Sequence, residues 1–210
     1  MIPLDLLLPF VFATVLIGLA PGPDNLFVLT QSAQHGYRTG LIIILGLCSG
    51  LIVHTSAVAL GVAALLQTSP AAFMALKTLG ALYLVYLAWQ AWQAAKSHAN
   101  PQSNAPSNNL KAMQFYRRGL LMNLSNPKVS IFFLAFLPQF ARAENGSIEQ
   151  QIFILGLLVI LITFLVFSSF ALLAGFIKPW LAESPNAQVL LYRITAMLFL
   201  ALALKLLWGS

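Results

Sequence analysis

Leu4 to Ser32 reads LDLLLPFVFATVLIGLAPGPDNLFVLTQS. The run is long and apolar enough for a membrane-spanning helix, which needs about 20 such residues. It is cut by Pro21-Gly22-Pro23-Asp24-Asn25. A second apolar run, about Lys111 to Phe140, is cut between Asn123 and Lys128, around Asn126-Pro127-Lys128. Proline removes a backbone donor and clashes with the preceding turn, so each run is expected to split into two half-helices. The second half-helix of each then starts with exposed N–H groups at the positive end of a dipole. Asp24, Asn25 and Asn126 are residue types that cap such a start, and Pro127 suits the first helical position. Freed backbone at membrane depth is tolerated only against protein or a wet cavity. A proline kink of no functional meaning accounts for one such break. Two breaks, each beside an in-span charge, point to a site.

Composition agrees with a membrane setting. Hydrophobic residues make up 60% of the 210, against ~45–50% in soluble domains, and charged residues 8%, against roughly 25%. So few charges cannot clothe a soluble surface, which excludes a soluble enzyme and a disordered chain. The net charge of +6 comes from basic residues scattered between apolar stretches, so no nucleic-acid partner is expected. Cys48 is alone, which leaves no intrachain disulfide and no thiolate metal cluster. It reads as a small core residue. With three histidines, no metal site and no cofactor are expected.

Six spans are expected in a single domain over 1–210. They are Leu4 to about Ser32, Gly40–Leu66, Ala71–Ala94, about Lys111 to Phe140, Gln151–Ile177 and about Val189 to Leu207. The first is kept as a mature helix, because Met1 to Asp5 carries no basic residue and no small-x-small cleavage site follows. A polar linker, about 96–111, rich in Asn, Ser, Gln and Pro, divides the chain into halves of about 1–95 and 112–210. Arg38, Lys96, Lys111, Arg117, Arg118, Lys178 and Arg193 fall on one side, and Arg142 and Lys205 on the other. Lys77 and Lys128 lie inside spans, which accounts for all eleven. The richer side is expected to be cytoplasmic, with both termini outside.

Three spans per half force the halves to run in opposite directions, an architecture common among secondary transporters. The broken helix is the first of each half. The expected fold is therefore an all-α membrane protein of six transmembrane helices, arranged as two inverted three-helix repeats, with helices 1 and 4 broken at the proline motifs.

At this point the motifs resemble a known family. Pro21-Gly22-Pro23-Asp24-Asn25 with Gln31, Gly36 and Gly40, and Asn126-Pro127-Lys128 followed by Phe132-Phe133-Leu134-Ala135-Phe136-Leu137-Pro138-Gln139-Phe140, are similar to the LysE/RhtB family of amino-acid exporters. The resemblance covers essentially the whole chain. It implies a secondary transporter in the bacterial inner membrane, not an enzyme. Such a protein exports small amino acids or their analogues from the cytoplasm by alternating access, driven by the proton motive force. Its partners would be the amino acid, protons and the lipid bilayer, with a homodimer as a candidate assembly. Members take lysine and arginine, or homoserine, threonine, leucine and cysteine, and the second group looks more like this chain.

The candidate residues follow from the breaks. A carboxylate at bilayer depth costs at least ~2.5–3.5 kcal/mol on insertion scales. Asp24 is therefore expected to meet the substrate ammonium or to carry a coupling proton, and capping a half-helix is compatible with both. Lys128 is a candidate for the substrate carboxylate beside a half-helix N-terminus, or for neutralising Asp24. The two are expected to face one cavity and to pair when it is empty. Asn25 and Asn126 add polar groups at the breaks, with Asn123 upstream. His54 shares a face of span 2 with Gly46, Gly50, Ala57 and Gly61, where small residues allow close helix contact. It reads either as a hydrogen-bonded neighbour or as a proton shuttle. Lys77 is expected to snorkel to the interface, and Tyr83, Tyr86, Trp89 and Trp92 to form an interfacial belt. Gln31 and Gln139 read as polar wall residues.

Two other classes compete. An intramembrane protease would need Ser49 or Ser130 with His54, but Ser49 and His54 lie about 140° apart around one helix. An ion channel or a metal or cation exporter of the same architecture would want clustered acidic groups, and only Asp24 lies deep in a span. Counterflow of labelled amino acid separates the three classes.

Overall fold

The computed structural model describes residues 2–68, 70–96 and 111–208, and among them it is helical throughout, with no strand. The elements are α1 (Leu4–Leu19), α2 (Pro23–His35), α3 (Tyr37–Thr68), α4 (Pro70–Lys96), α5 (Ala112–Leu124), α6 (Pro127–Ile131), α7 (Ile148–Glu183) and α8 (Pro185–Trp208). A π-helical turn, Phe132–Phe136, and a 3-10 turn, Leu137–Phe140, continue α6, and a further 3-10 turn spans Ala143–Asn145. The expected linker lies outside the described residues except for its ends at Lys96 and Lys111.

Both runs are broken where the prolines require it. Pro21 bars its predecessor from helical backbone, and Ala20 is extended (φ −60°, ψ 125°), ending α1. Pro23 then occupies the first position of α2. α1 and α2 meet at 56°, and α5 meets the α6 segment at 50°. Gly36, with φ +86°, turns the chain from α2 into α3, a conformation that favours glycine.

Among the described residues, three helices, α3, α7 and α8, are long and apolar enough to cross a membrane, and up to five spans result if each bent pair counts as one. The sixth expected span is a helix too: α4 has 27 residues, about 40 Å at helical rise. It is not among those five. Lys77 is buried in the protein instead of reaching outward.

α3 packs mainly on α5 and α7, and α4 on α8. One core cluster gathers Phe10 with Phe132, Phe133, Phe136 and Phe140, with Phe10 and Phe140 ring centroids 5.1 Å apart. A second holds Val28, Ile43, Ile44, Leu47, Phe115 and Phe167. Large apolar side chains also cover the outside: Phe12, Leu79, Leu157 and Phe176 are exposed, and only 33% of the apolar stretch of α7 is buried. Helices that are apolar all round belong in hydrocarbon. Tyr86 and Trp89, with ring centroids 6.1 Å apart, are exposed on α4.

The α3–α5 crossing depends on missing side chains. A Cβ on Gly119 would meet the Ile43 carbonyl, and one on Gly46 would meet the Tyr116 carbonyl. Both obstacles are backbone, which cannot swing aside. Gly61, on the same face of α3, has open space around it. Gly119→Ala is therefore expected to destabilise the protein by about 1–3 kcal/mol through overpacking. Gly61→Ala should be neutral, or stabilising by up to about 1 kcal/mol. Thermal unfolding of the two variants in detergent checks this, and equal melting temperatures would contradict the crossing described.

Candidate functional site

The two breaks lie against each other, and side-chain hydrogen bonds cross between them. Gly22 is the residue preceding α2, with Pro23, Asp24 and Asn25 in its first turn. Asn25 closes the first break. Its Oδ1 accepts from the Gly22 N–H at 2.7 Å, and its Nδ2 donates to the carbonyls of Ala20 at 2.8 Å and Gly18 at 3.3 Å. Asn25 was expected as a substrate or coupling contact, and the structure commits its amide to the backbone freed by the prolines. Capping falls to Asn25, not to Asp24.

Asn126 closes the second break. Its Oδ1 accepts from the Lys128 N–H at 3.0 Å, which caps α6. Its Nδ2 donates across to Asp24 Oδ2 at 2.8 Å. Lys128 crosses in the same direction: its Nζ donates to the carbonyls of Ile17 at 3.3 Å and Ala20 at 3.4 Å, at the end of α1. A Cβ on Gly22 would come within 3.1 Å of that Nζ, so the bare backbone at position 22 leaves Lys128 its place.

Asp24 and Lys128 occupy corresponding positions, each following the proline that starts its half-helix. The charges suit the dipoles they meet. The Asp24 carboxylate sits in the first turn of α2, at a positive end, and the Lys128 ammonium reaches the negative end of α1. They do not form the direct ion pair expected for an empty site, since Asn126 and the α1 carbonyls hold them separately.

Both side chains line one small cavity of about 50 Å³, which Asn123, Phe132 and Phe133 also line. Asp24 is 4% exposed and Asn123 2%. Asp24 Oδ1 and Asn123 Oδ1 have no hydrogen-bond partner. An unpaired buried acceptor costs about 1–3 kcal/mol, so the cavity carries an unmet demand for donors. Asn123 was read from the sequence only as a polar group upstream of the break. Its signal was there: an amide inside an apolar span, one turn before the break.

His54 is not part of the cavity wall. Its ring stacks on Phe133 with centroids 5.5 Å apart, and Nε2 lies 3.5 Å from the Asn123 carbonyl. It stands one side chain behind the cavity. Gln31 is buried, and Gln139 donates to the Ala135 carbonyl at 2.8 Å. On the opposite face of the first break, a larger recess of about 230 Å³ is lined by Leu26, Leu29, Phe170 and Leu191 and reaches Pro21 and Asn25. Among the described residues, no three His, Cys, Asp or Glu side chains gather as metal ligands.

The family model described as LysE type translocator matches residues 15–210. An uncharacterized membrane protein of Pseudomonas aeruginosa is 38% identical, with 80% of this chain and 81% of that one covered. The homoserine/homoserine lactone efflux protein of Salmonella typhimurium is 31% identical over 91% of this chain and 90% of its own. The leucine efflux protein of Klebsiella pneumoniae is 29% identical over 95% and 93%. No solved structure matches. The match runs from within α1 through both broken spans and the site between them, and the chain belongs to the LysE type translocator family.

Proposed function

We propose that this protein exports small amino acids or close analogues from the cytoplasm by alternating access across the bacterial inner membrane, using the proton motive force. The observation that carries the reading is the buried Asp24 carboxylate. One of its oxygens is held by Asn126 and the other is free, in a cavity that Lys128 also lines. An amino acid brings an ammonium for that oxygen and a carboxylate for the lysine side, and charge-assisted hydrogen bonds are the strong ones. The relatives' names point the same way. Homoserine, homoserine lactone and leucine share an ammonium group and differ elsewhere.

Six spans in two inverted repeats fit this activity. α4 is the sixth span, and the two bent pairs, at 56° and 50°, open the two halves at corresponding places. Contacts between halves, α4 on α8 and α3 on α7, agree with a two-fold axis in the membrane plane. Broken helices meeting at mid-membrane are where such transporters bind substrate. Asp24 is 4% exposed, so loading requires the helices around the cavity to part. Asp24 is the group placed to couple a proton to that movement.

Two experiments test the reading. Asp24→Asn and Lys128→Met each remove one charge-assisted contact, worth about 1.5–3 kcal/mol, so amino-acid affinity should fall about ten- to hundred-fold. The double variant should recover membrane expression better than transport, because neither charge is then left alone. Counterflow in proteoliposomes reads transport, and a single variant working at the wild-type rate would remove that residue from the site. For topology, the seven-to-two basic asymmetry predicts a cytoplasmic reporter at position 102 and an external one at 210. An external position 102 would reverse the proposed orientation.

A further inference from the structure

We propose that the Asn123 amide binds the substrate and that, with Asp24, it restricts transport to molecules bearing at least two N–H groups on one cationic nitrogen. The proposal rests on the exporter reading above and deepens it. Asn123 stands in the last turn of α5 and is 2% exposed. It lines the same cavity as Asp24, and both Asn123 Oδ1 and Asp24 Oδ1 are buried without a donor.

Several neighbouring donors are engaged elsewhere. Asn126 Nδ2 is on Asp24 Oδ2, Lys128 Nζ is on the Ile17 and Ala20 carbonyls, and Thr14 Oγ1 donates to the Phe10 carbonyl. Two acceptors remain without a partner on residues that line one small space. A single nitrogen bonded to both must carry two N–H groups. A primary ammonium has three and an N-methyl ammonium two, whereas an N,N-dimethyl ammonium has one.

The surroundings keep the amide in place. Gly50 of α3 faces it, and a Cβ there would come within 2.5 Å of Asn123 Oδ1 and 2.8 Å of its Cβ. Gly50 is thus a positioning residue: it clears the space in which the amide stands. An amide kept for folding would be hydrogen-bonded in the empty protein. This one is not, so its loss should cost substrate affinity without costing stability.

The test uses purified full-length protein, with wild type compared to Asn123→Leu, which keeps similar volume. Probes are L-leucine, L-homoserine, N-methyl-leucine, N,N-dimethyl-leucine and α-methyl-leucine, the last adding bulk while keeping three N–H groups. Half-saturation in counterflow and the melting temperature of the empty protein are measured. For wild type, N,N-dimethyl-leucine should be at least tenfold weaker than leucine, with N-methyl- and α-methyl-leucine between them. Asn123→Leu should raise half-saturation for leucine at least tenfold, narrow the dimethyl penalty and leave the melting temperature unchanged or higher. Equal half-saturation and unchanged discrimination in Asn123→Leu would show that the amide meets only water and would overturn the assignment. If that variant fails to fold, the wild-type series still decides, because equal exchange of leucine and its N,N-dimethyl derivative refutes the N–H rule. Wild type that exchanges leucine or homoserine while failing this series leaves the exporter reading intact. Wild type that exchanges none of the probes overturns both.

Discussion

Backbone opened at membrane depth has no water to turn to, and the rest of this structure answers that constraint. The prolines at 21, 23 and 127 free carbonyls and N–H groups in the middle of two apolar runs. Part of the repair is local, through Asn25 on Gly22, Ala20 and Gly18 and Asn126 on Lys128. The remainder is exchanged between breaks, through Lys128 on the end of α1 and Asn126 on Asp24. The carbonyls at the end of α1 are met from the second break, and Asp24 is held from it too, so the two breaks fold against each other. The glycine-lined crossing of α3 and α5 is one of the contacts that allows the approach.

The same exchange explains how a carboxylate and an ammonium can both be held inside a bilayer. Each meets the end of a half-helix whose dipole favours it. Each is also held by a hydrogen bond from, or to, the opposite half of the chain. The remaining polar capacity is lopsided. The atoms left without a partner at Asp24 and Asn123 are acceptors, while the Asn126 and Lys128 side chains are engaged. A cavity of this kind discriminates by how many donors a guest offers.

Much of this was legible in the sequence, because prolines act locally. Pro21, Pro23 and Pro127 announce the breaks from residue type alone, and Asn126 announces its cap. Asp24 and Asn25 were less legible. Adjacent polar residues in the first turn look interchangeable, and only the fold shows one closing the backbone while the other faces the cavity. Asn123 lacks a motif of its own, and its meaning comes from Gly50 and Asp24, which lie far from it in sequence. α4 was legible as an apolar run of sufficient length, but its partner was not: α8, which packs along it, lies far away in sequence.

The strengths of the contacts around the cavity also rank the joints that must yield for a whole amino acid to enter. Asn126 to Asp24, at 2.8 Å, is short and involves a charge, as strong hydrogen bonds do. The Lys128 contacts, at 3.3 and 3.4 Å, lie beyond the usual N–H···O range of about 2.7–3.2 Å. The lysine is therefore the looser clasp. It is also anchored on the least regular element present, a five-residue helix that passes into a π turn and then a 3-10 turn. In contrast, Asp24 rides on a regular helix of 13 residues. Separation of the two breaks thus begins more easily at Lys128 than at Asp24. A guest carboxylate that accepts from Lys128 competes with two long bonds to backbone carbonyls, while a guest ammonium at Asp24 displaces none. On the export reading proposed above, the ammonium end docks without breaking a protein contact, and the carboxylate end docks by replacing the weaker of the two clasps.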